Sequence, residues 1–344
     1  MTYMANEIRQ TPEVIDRLLT EGARTIRAAA GAISRARPSW VAIAARGTSD
    51  HAAVYARYLI EAVLGIPVVL VAPSINTVYE RRSSWSDGML ISISQSGQSP
   101  DLLAVLEAAK HSRPTIAITN DHGSPLAEGS DFVVDCRAGE EGAVAATKTY
   151  VSSLVAIAAV VEGVLPTDAL DTAALSEVTQ RTIEVADRWV ADSGVVDTFA
   201  GSVGSLTVGR GYNYATALEV ALKIIETSRR FAIGYSAADL EHGPMVLAGD
   251  NTPVLFFESP GQMGLRTRPV RQRLTASGGD VWTVTTGNGV PAEIKTLTLP
   301  IEVSDELSPI PFILPGQLLA ETVARRLGHD PDAPRGLTKV TKTL

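Results

Sequence analysis

Three hydroxyls, those of Ser94, Ser96 and Ser99, surround Gly97 in the stretch ISISQSGQS, and Pro100-Asp101-Leu102-Leu103 follows at once. The apolar run over 89–93 predicts a buried strand, and Pro100 presets φ for a helix running to about Ser112. A polar loop so placed offers backbone N–H groups at a helix N-terminus beside hydroxyl donors, an anion cradle suited to phosphate. No lysine follows the glycine as a nucleotide-binding loop requires, and no G-x-G-x-x-G occurs, so a phosphomonoester fits better than a nucleotide. The ordinary alternative is a Ser/Gly turn that merely caps a helix. Two further clusters could move protons: Lys223 and Glu226, one turn apart on a helix, and Glu241-His242-Gly243-Pro244. A carboxylate and an imidazole are the usual tools for moving protons on a sugar. Their ordinary alternatives are a surface ion pair for Glu226 and a capping or core role for His242. The other histidines, His51, His111, His122 and His329, show no metal-ligand spacing, so no metal site is expected.

Strand and helix patterns alternate around these residues. Residues 7–35 predict two or so leading helices, with Thr11-Pro12 as cap and first-turn proline. A strand over 40–45 ends in Arg46-Gly47-Thr48-Ser49 and runs into a helix over 50–64; Gly65 and Pro67 break it before a strand over 68–72. Strands at 115–119 and 132–135 and a helix near 147–164 complete a parallel sheet with helices on both faces. Ligands of such sheets lie at the strands' carboxyl ends, where Ser49 and the Ser94 loop would sit.

The segment 165–204 is helical in period and leads into a second copy. A strand at 206–208 ends in Arg210-Gly211, matching Arg46-Gly47, and an Ala-rich helix over 214–228 follows as 50–64 did. VLFFESPGQ (254–262) parallels LISISQSGQ (90–98), and a strand at 281–285 comes after it, so the repeat period is half the chain. The expected fold is α/β, two tandem doubly wound parallel-sheet domains related by duplication, flavodoxin-like in type. Expected boundaries are 1–36 for leading helices, 37–165 for the first domain, 166–328 for the second and 329–344 for a tail. Glu258, Ser259 and Pro260 replace Ser94, Gln95 and Ser96, so the second cradle is not expected to hold phosphate.

Net charge is −8 over 344 residues with both signs interspersed, which gives no basic groove for nucleic acid or an anionic membrane. The single cysteine, Cys136, excludes an internal disulfide and fits a reducing cytoplasm. The first ten residues carry no apolar signal-peptide core, and the most apolar run, 151–165, is too short to span a bilayer. The tail from Asp330, with Pro331, Pro334, Arg335, Lys339 and Lys342, reads by itself as a solvated end.

RGTSDHAA, SISQSGQS, AVAATK, RGYNYATALEVALKIIE, EHGPM and PRGLTK together resemble the sugar isomerase (SIS) domain family, in particular the isomerase half of glucosamine-6-phosphate synthase and its stand-alone relatives. The resemblance runs from about residue 40 to the end in matching order. It implies phosphate ligands at Ser49, Ser94, Gln95, Ser96 and Ser99 with Thr48 nearby, a sugar-lining Val144, an acid/base Glu226, a ring-opening His242 and a carbonyl-facing Lys339. It further implies no cofactor and a homodimer in which the histidine reaches the neighbouring subunit's site. Ala146 stands where a sugar-loop serine is found in the synthase, and Ile225 and Glu241 replace lysines beside its glutamate and histidine. The synthase's glutamine-hydrolysing domain has no counterpart here, so ammonia from glutamine is not expected. Short relatives include amino-sugar-phosphate deaminases, whose opening NEIRQTPEVIDRLL resembles, and the expectation is a cytoplasmic deaminase acting on glucosamine 6-phosphate. A plain aldose–ketose phosphate isomerase, a deglycase of glycated amino acids and a silent phosphosugar sensor are the competing expectations.

Overall fold

The computed structural model of the chain describes residues 1–81, 84–110, 114–167, 169–249, 251–286 and 295–339; Ser112, His111 and Lys342 lie outside that set. Three helices lead, α1 (Tyr3–Arg9), α2 (Thr11–Glu21) and α3 (Ala23–Ala36). The packing divides into two units. The first-copy unit is built of Glu13–Glu141, Lys148–Ala173 and the segment beginning at Thr338; the second-copy unit of Met1–Pro12, Gly142–Thr147 and Ala174–Leu337.

In the first-copy unit the elements are β1 (Trp40–Ala44), α4 (Thr48–Leu59), β2 (Val68–Leu70), α5 (Ser74–Thr77), β3 (Gly88–Ile93), α6 (Pro100–Ala109), β4 (Thr115–Thr119), α7 (Pro125–Gly129), β5 (Phe132–Asp135) and α8 (Lys148–Glu162). The strands form one parallel sheet in the order β2-β1-β3-β4-β5. Every residue of β3 and β4 is buried, as expected of a parallel sheet covered on both faces. Leu90, Leu102, Val105, Leu106 and Ala117 form the core between the sheet and α6.

The second-copy unit contains α9 (Leu175–Asp192), α10 (Val195–Gly201), β6 (Gly204–Gly209), α11 (Asn213–Ser228), β7 (Phe231–Ser236), α12 (Ala237–Leu240), β8 (Val254–Glu258), α13 (Gly261–Ala276), β9 (Val281–Thr285), β10 (Thr296–Thr298) and α14 (Pro309–Arg326), together with α1. Its sheet is parallel in the order β10-β9-β8-β6-β7. Read from β7, this is the first sheet's order again, so the duplication expected from the sequence is present in the topology. Val208, Phe256, Val270 and Leu274 centre its core. Two close approaches fix α11. A Cβ on Gly234 of β7 would stand 2.8 Å from the Leu218 Cα, and one on Gly316 of α14 would stand 2.2 Å from a Val220 methyl. Among the described residues no helix is long and apolar enough to cross a membrane.

Candidate functional site

In the first-copy unit β1 and β3 are sheet neighbours from which the chain departs in opposite directions, to β2 on one side and β4 on the other. The carboxyl ends of such a pair open a crevice, and both candidate loops leave from those ends. β1 is followed by Arg46 and Gly47, whose φ of +57° turns the chain into α4, with half-buried Thr48 and Ser49 at that helix's start. β3 is followed by the serine loop. The Ser94 hydroxyl accepts the Gly97 N–H at 3.1 Å and the Ser96 hydroxyl accepts the Gln98 N–H at 3.3 Å. Gly97 has φ +60°, and a Cβ there would lie 2.0 Å from the Ser124 hydroxyl, so only glycine fits. The Gln95 carbonyl accepts the Asn120 N–H at 3.1 Å, which pins the loop to the end of β4.

Ser99 differs from the other two. It is the N-cap of α6, yet its buried hydroxyl makes no capping bond and has no hydrogen-bond partner among the described residues. A serine at this position ordinarily spends its hydroxyl on the helix's own N–H groups. Here the hydroxyl is uncommitted, beside a helix N-terminus of the kind that favours anions.

An ion pair joins the two loops. Arg46 donates from Nε at 3.0 Å and from Nη2 at 2.9 Å to one oxygen of Asp101, which is 2% exposed in the first turn of α6. In sequence Arg46 stands out only as a repeat marker and as the start of RGTSDHAA, and Asp101 only as a helix residue. An acidic residue right after a first-turn proline was the available signal.

Lys339 does not sit in a solvated end. Its ammonium donates at 2.7 Å to Glu141, whose side chain is fully buried and also accepts the Thr149 hydroxyl at 2.7 Å and the Thr149 N–H at 3.1 Å. Glu141 escaped the sequence reading because its partner lies 198 residues away.

The second-copy unit holds the remaining groups. On α11 the ammonium of Lys223, fully buried, donates to Glu226 at 2.5 Å and lies 3.3 Å from Glu219, which is also fully buried. Burial alone would lower the Lys223 pKa; the charges and hydrogen bonds of the two glutamates outweigh it and raise the pKa above the ordinary lysine value. The pairing with Lys223 that the ordinary alternative for Glu226 describes is therefore present, but in a partly buried triad rather than on a solvated face. His242 is exposed on the turn after α12, its backbone N–H donating to the Asp239 carbonyl at 3.0 Å. Beside it Glu241, which replaces a lysine of the synthase, pairs with Arg273. Val144 lies in the loop Gly142–Thr147, held by the Glu7 carboxylate on the Gly142 N–H at 2.5 Å and by the Asp332 carbonyl on the Val144 N–H at 2.9 Å.

In the second crevice, between β6 and β8, several polar side chains pair with one another. Asn213 donates to the hydroxyls of Ser259 at 3.0 Å and Ser308 at 2.6 Å. Glu258, 1% exposed, accepts Arg268 at 2.8 Å and Arg271 at 2.9 Å. Asp305 adds a carboxyl whose pKa is pushed up to about 6, by burial first and by Glu306, against a lowering bond from Ser259. Among the described residues Asp305 Oδ1 and Arg271 Nη1 have no hydrogen-bond partner, so the crevice is not fully satisfied. What differs from the first copy is that the Glu258 carboxylate and the donor-less Pro260 stand where Ser94 and Ser96 offer hydroxyls and an N–H, which gives the physical reason why this copy does not repeat the cradle. Among the described residues no cluster of His, Cys, Asp and Glu is arranged to hold a metal.

The SIS-domain family model matches residues 36–163 and 205–314. The chain belongs to the SIS-domain family. It is 33% identical over 348 residues to the glutamine–fructose-6-phosphate aminotransferase (isomerizing) of Methanothermobacter thermautotrophicus, an alignment covering 98% of this chain and 57% of that protein. The SIS chain thus spans little more than half the length of that relative. Among solved structures it is similar to a candidate phosphosugar isomerase from Silicibacter pomeroyi, with TM-score 0.85, 32% identity and coverage of 96% of this chain and 100% of that one. It also shares its fold with the glucosamine-6-phosphate deaminase of Thermotoga maritima, with TM-score 0.81, 20% identity and coverage of 99% and 100%.

Proposed function

We propose that this SIS chain acts on phosphorylated sugars, and specifically that it is a deaminase converting glucosamine 6-phosphate and water to fructose 6-phosphate and ammonia. The observation that carries the reading lies in the first crevice, where a buried hydroxyl is left uncommitted at a helix N-terminus among other hydroxyls, whereas the second loop has a carboxylate at Glu258 and a donor-less Pro260 in the matching places. A phosphomonoester suits the first, held by Ser94, Gln95, Ser96 and Ser99 with Thr48 and Ser49. The 33% identity to an enzyme named for fructose 6-phosphate supports a hexose phosphate as the rest of the ligand.

Roles follow residue by residue from the resemblance. His242 assists ring opening of the sugar. Glu226 removes the C2 proton of the opened aldehyde and returns a proton to C1, which shifts the carbonyl oxidation level to C2 as a ketimine. Water adds to that carbon and ammonia leaves, giving the ketose. Lys339 faces the carbonyl end and Val144 lines the sugar. Lys223 fits this scheme as the group that holds the Glu226 carboxylate in one orientation. A homodimer, with His242 serving the partner's site, belongs to the same proposal, as does a domain organisation of leading helices (1–36), first domain (37–165), second domain (166–328) and tail (329–344).

The deciding experiment measures ammonia release from a panel of amino-sugar phosphates, with Glu226→Gln as control. Release from glucosamine 6-phosphate that disappears in Glu226→Gln, along with exchange of the C2 proton into deuterated solvent, is the expected result. Interconversion of an aldose and a ketose phosphate without ammonia would replace the deaminase reading by the isomerase one. Tight binding without turnover of any member would replace both by a phosphosugar sensor.

A further inference from the structure

We infer that Glu141 is the positioning residue for Lys339; the inference rests on the role proposed above for that lysine. Among the described residues Lys339 is the last of the chain, a segment with no secondary structure of its own that needs an anchor to hold a side chain in one place. The anchor is a carboxylate with a fully buried side chain. A buried carboxylate is costly unless paired and hydrogen-bonded, and Glu141 is both. Oε1 accepts the Thr149 N–H, and Oε2 accepts the Thr149 hydroxyl and the Lys339 ammonium. Thr149 stands in the first turn of α8, a rigid 15-residue helix, so the carboxylate is oriented by a fixed element. The preceding loop is held as well: Lys148 donates to the Glu140 carbonyl at 2.6 Å, and Asn120 donates to the Gly139 carbonyl at 2.8 Å while accepting the Ala138 N–H at 2.8 Å. Every joint between the sheet and the ammonium is thereby fixed except the lysine's own stem. The ion pair with Lys339 offsets part of the cost of burying the Glu141 charge, so the carboxylate favours the docked tail. A glutamine would keep the Thr149 contacts but lose most of that preference.

The test is acetylation of the whole folded chain by a water-soluble N-hydroxysuccinimide ester, with each lysine's modification rate read by mass spectrometry. In wild type, Lys339 should react at least about ten-fold more slowly than the exposed Lys110 and Lys295; Glu141→Gln should bring it close to their rate and lower kcat while leaving phosphate binding unchanged. Glu141→Asp, which keeps the charge, should restore part of the protection. A structural role alone would shift stability without changing the labelling of Lys339 relative to the other lysines. Equal labelling of Lys339 and the exposed lysines in wild type overturns the inference and needs no variant to fold. Protection that follows the expectation while Lys339→Met retains full ammonia release would overturn the catalytic reading of the lysine and leave the Glu141 anchor in place.

Discussion

Ser99→Ala should weaken phosphate binding and leave the fold as stable as before, or more so. The hydroxyl has no partner among the described residues, so its removal breaks no bond among them. The usual loss on truncating an N-cap serine, about 0.5–2 kcal/mol, requires a capping bond that Ser99 does not make. Relieving a buried unsatisfied hydroxyl instead returns as much as about 1 kcal/mol of stability. In the complex the same hydroxyl donates to a charged oxygen, worth about 1.5–3 kcal/mol, which is roughly 10- to 140-fold in Kd. Ser94→Ala offers the contrast: it strips the acceptor from the Gly97 N–H and should cost stability as well as binding. Titration calorimetry with inorganic phosphate and with glucosamine 6-phosphate at fixed ionic strength reads the first effect, and urea unfolding reads the second. An unchanged Kd, or a stability loss above about 1 kcal/mol, would refute the assignment of Ser99 as a hydroxyl reserved for phosphate.

Asp305, with a pKa near 6 in the folded protein, holds its proton longer than the unfolded chain does, so stability is full below about pH 4 and falls as pH rises towards 6. Asp305→Asn should abolish that fall, worth about 1 kcal/mol for a half-buried group after solvent screening, as unfolding midpoints between pH 4 and 7 would show. Lys223→Met leaves the buried Glu219 without its ammonium and should cost about 3–5 kcal/mol in denaturant unfolding. Glu7→Ala removes the acceptor for the Gly142 N–H and should raise KM for the sugar phosphate through the Val144 loop, with Glu7→Gln recovering most of it; an unchanged KM would remove Glu7 from that task. Mixed chains of His242→Ala and Glu226→Gln should regain part of the lost activity after subunit exchange if the histidine serves a partner's site, and none if it does not.

Local pattern was enough for the strands that build the first crevice. Buried parallel strands read as short apolar runs, and β4, β5 and β9 fall on the spans expected from sequence. The edge strands β7 and β10 went unread, because β7 alternates exposed Phe231 and Ile233 with Ala232 and Gly234, and β10 is only three residues long. The helix α14 was also unread. Pro309, Pro311 and Pro315 look like breakers, and a helix buried on nearly every side carries no amphipathic period. At the site, hydroxyls beside a glycine could be read in sequence because their chemistry is local. The carboxylates that brace the candidate loops and tail, Glu7, Asp101 and Glu141, bind partners 135, 55 and 198 residues away, a distance no window of local sequence contains.

The cap on α1 sets an order of events during synthesis. Asp332 accepts the N–H groups of Tyr3 and Met4, 329 and 328 positions earlier in the chain. At about 5–20 residues per second a ribosome needs roughly 15–65 s to make that interval, so α1 emerges long before the group that completes it. A seven-residue helix is too short to persist alone in water. Its apolar Met4 and Ile8, fully buried at the end, therefore wait unburied until the segment that carries Asp332 has been made.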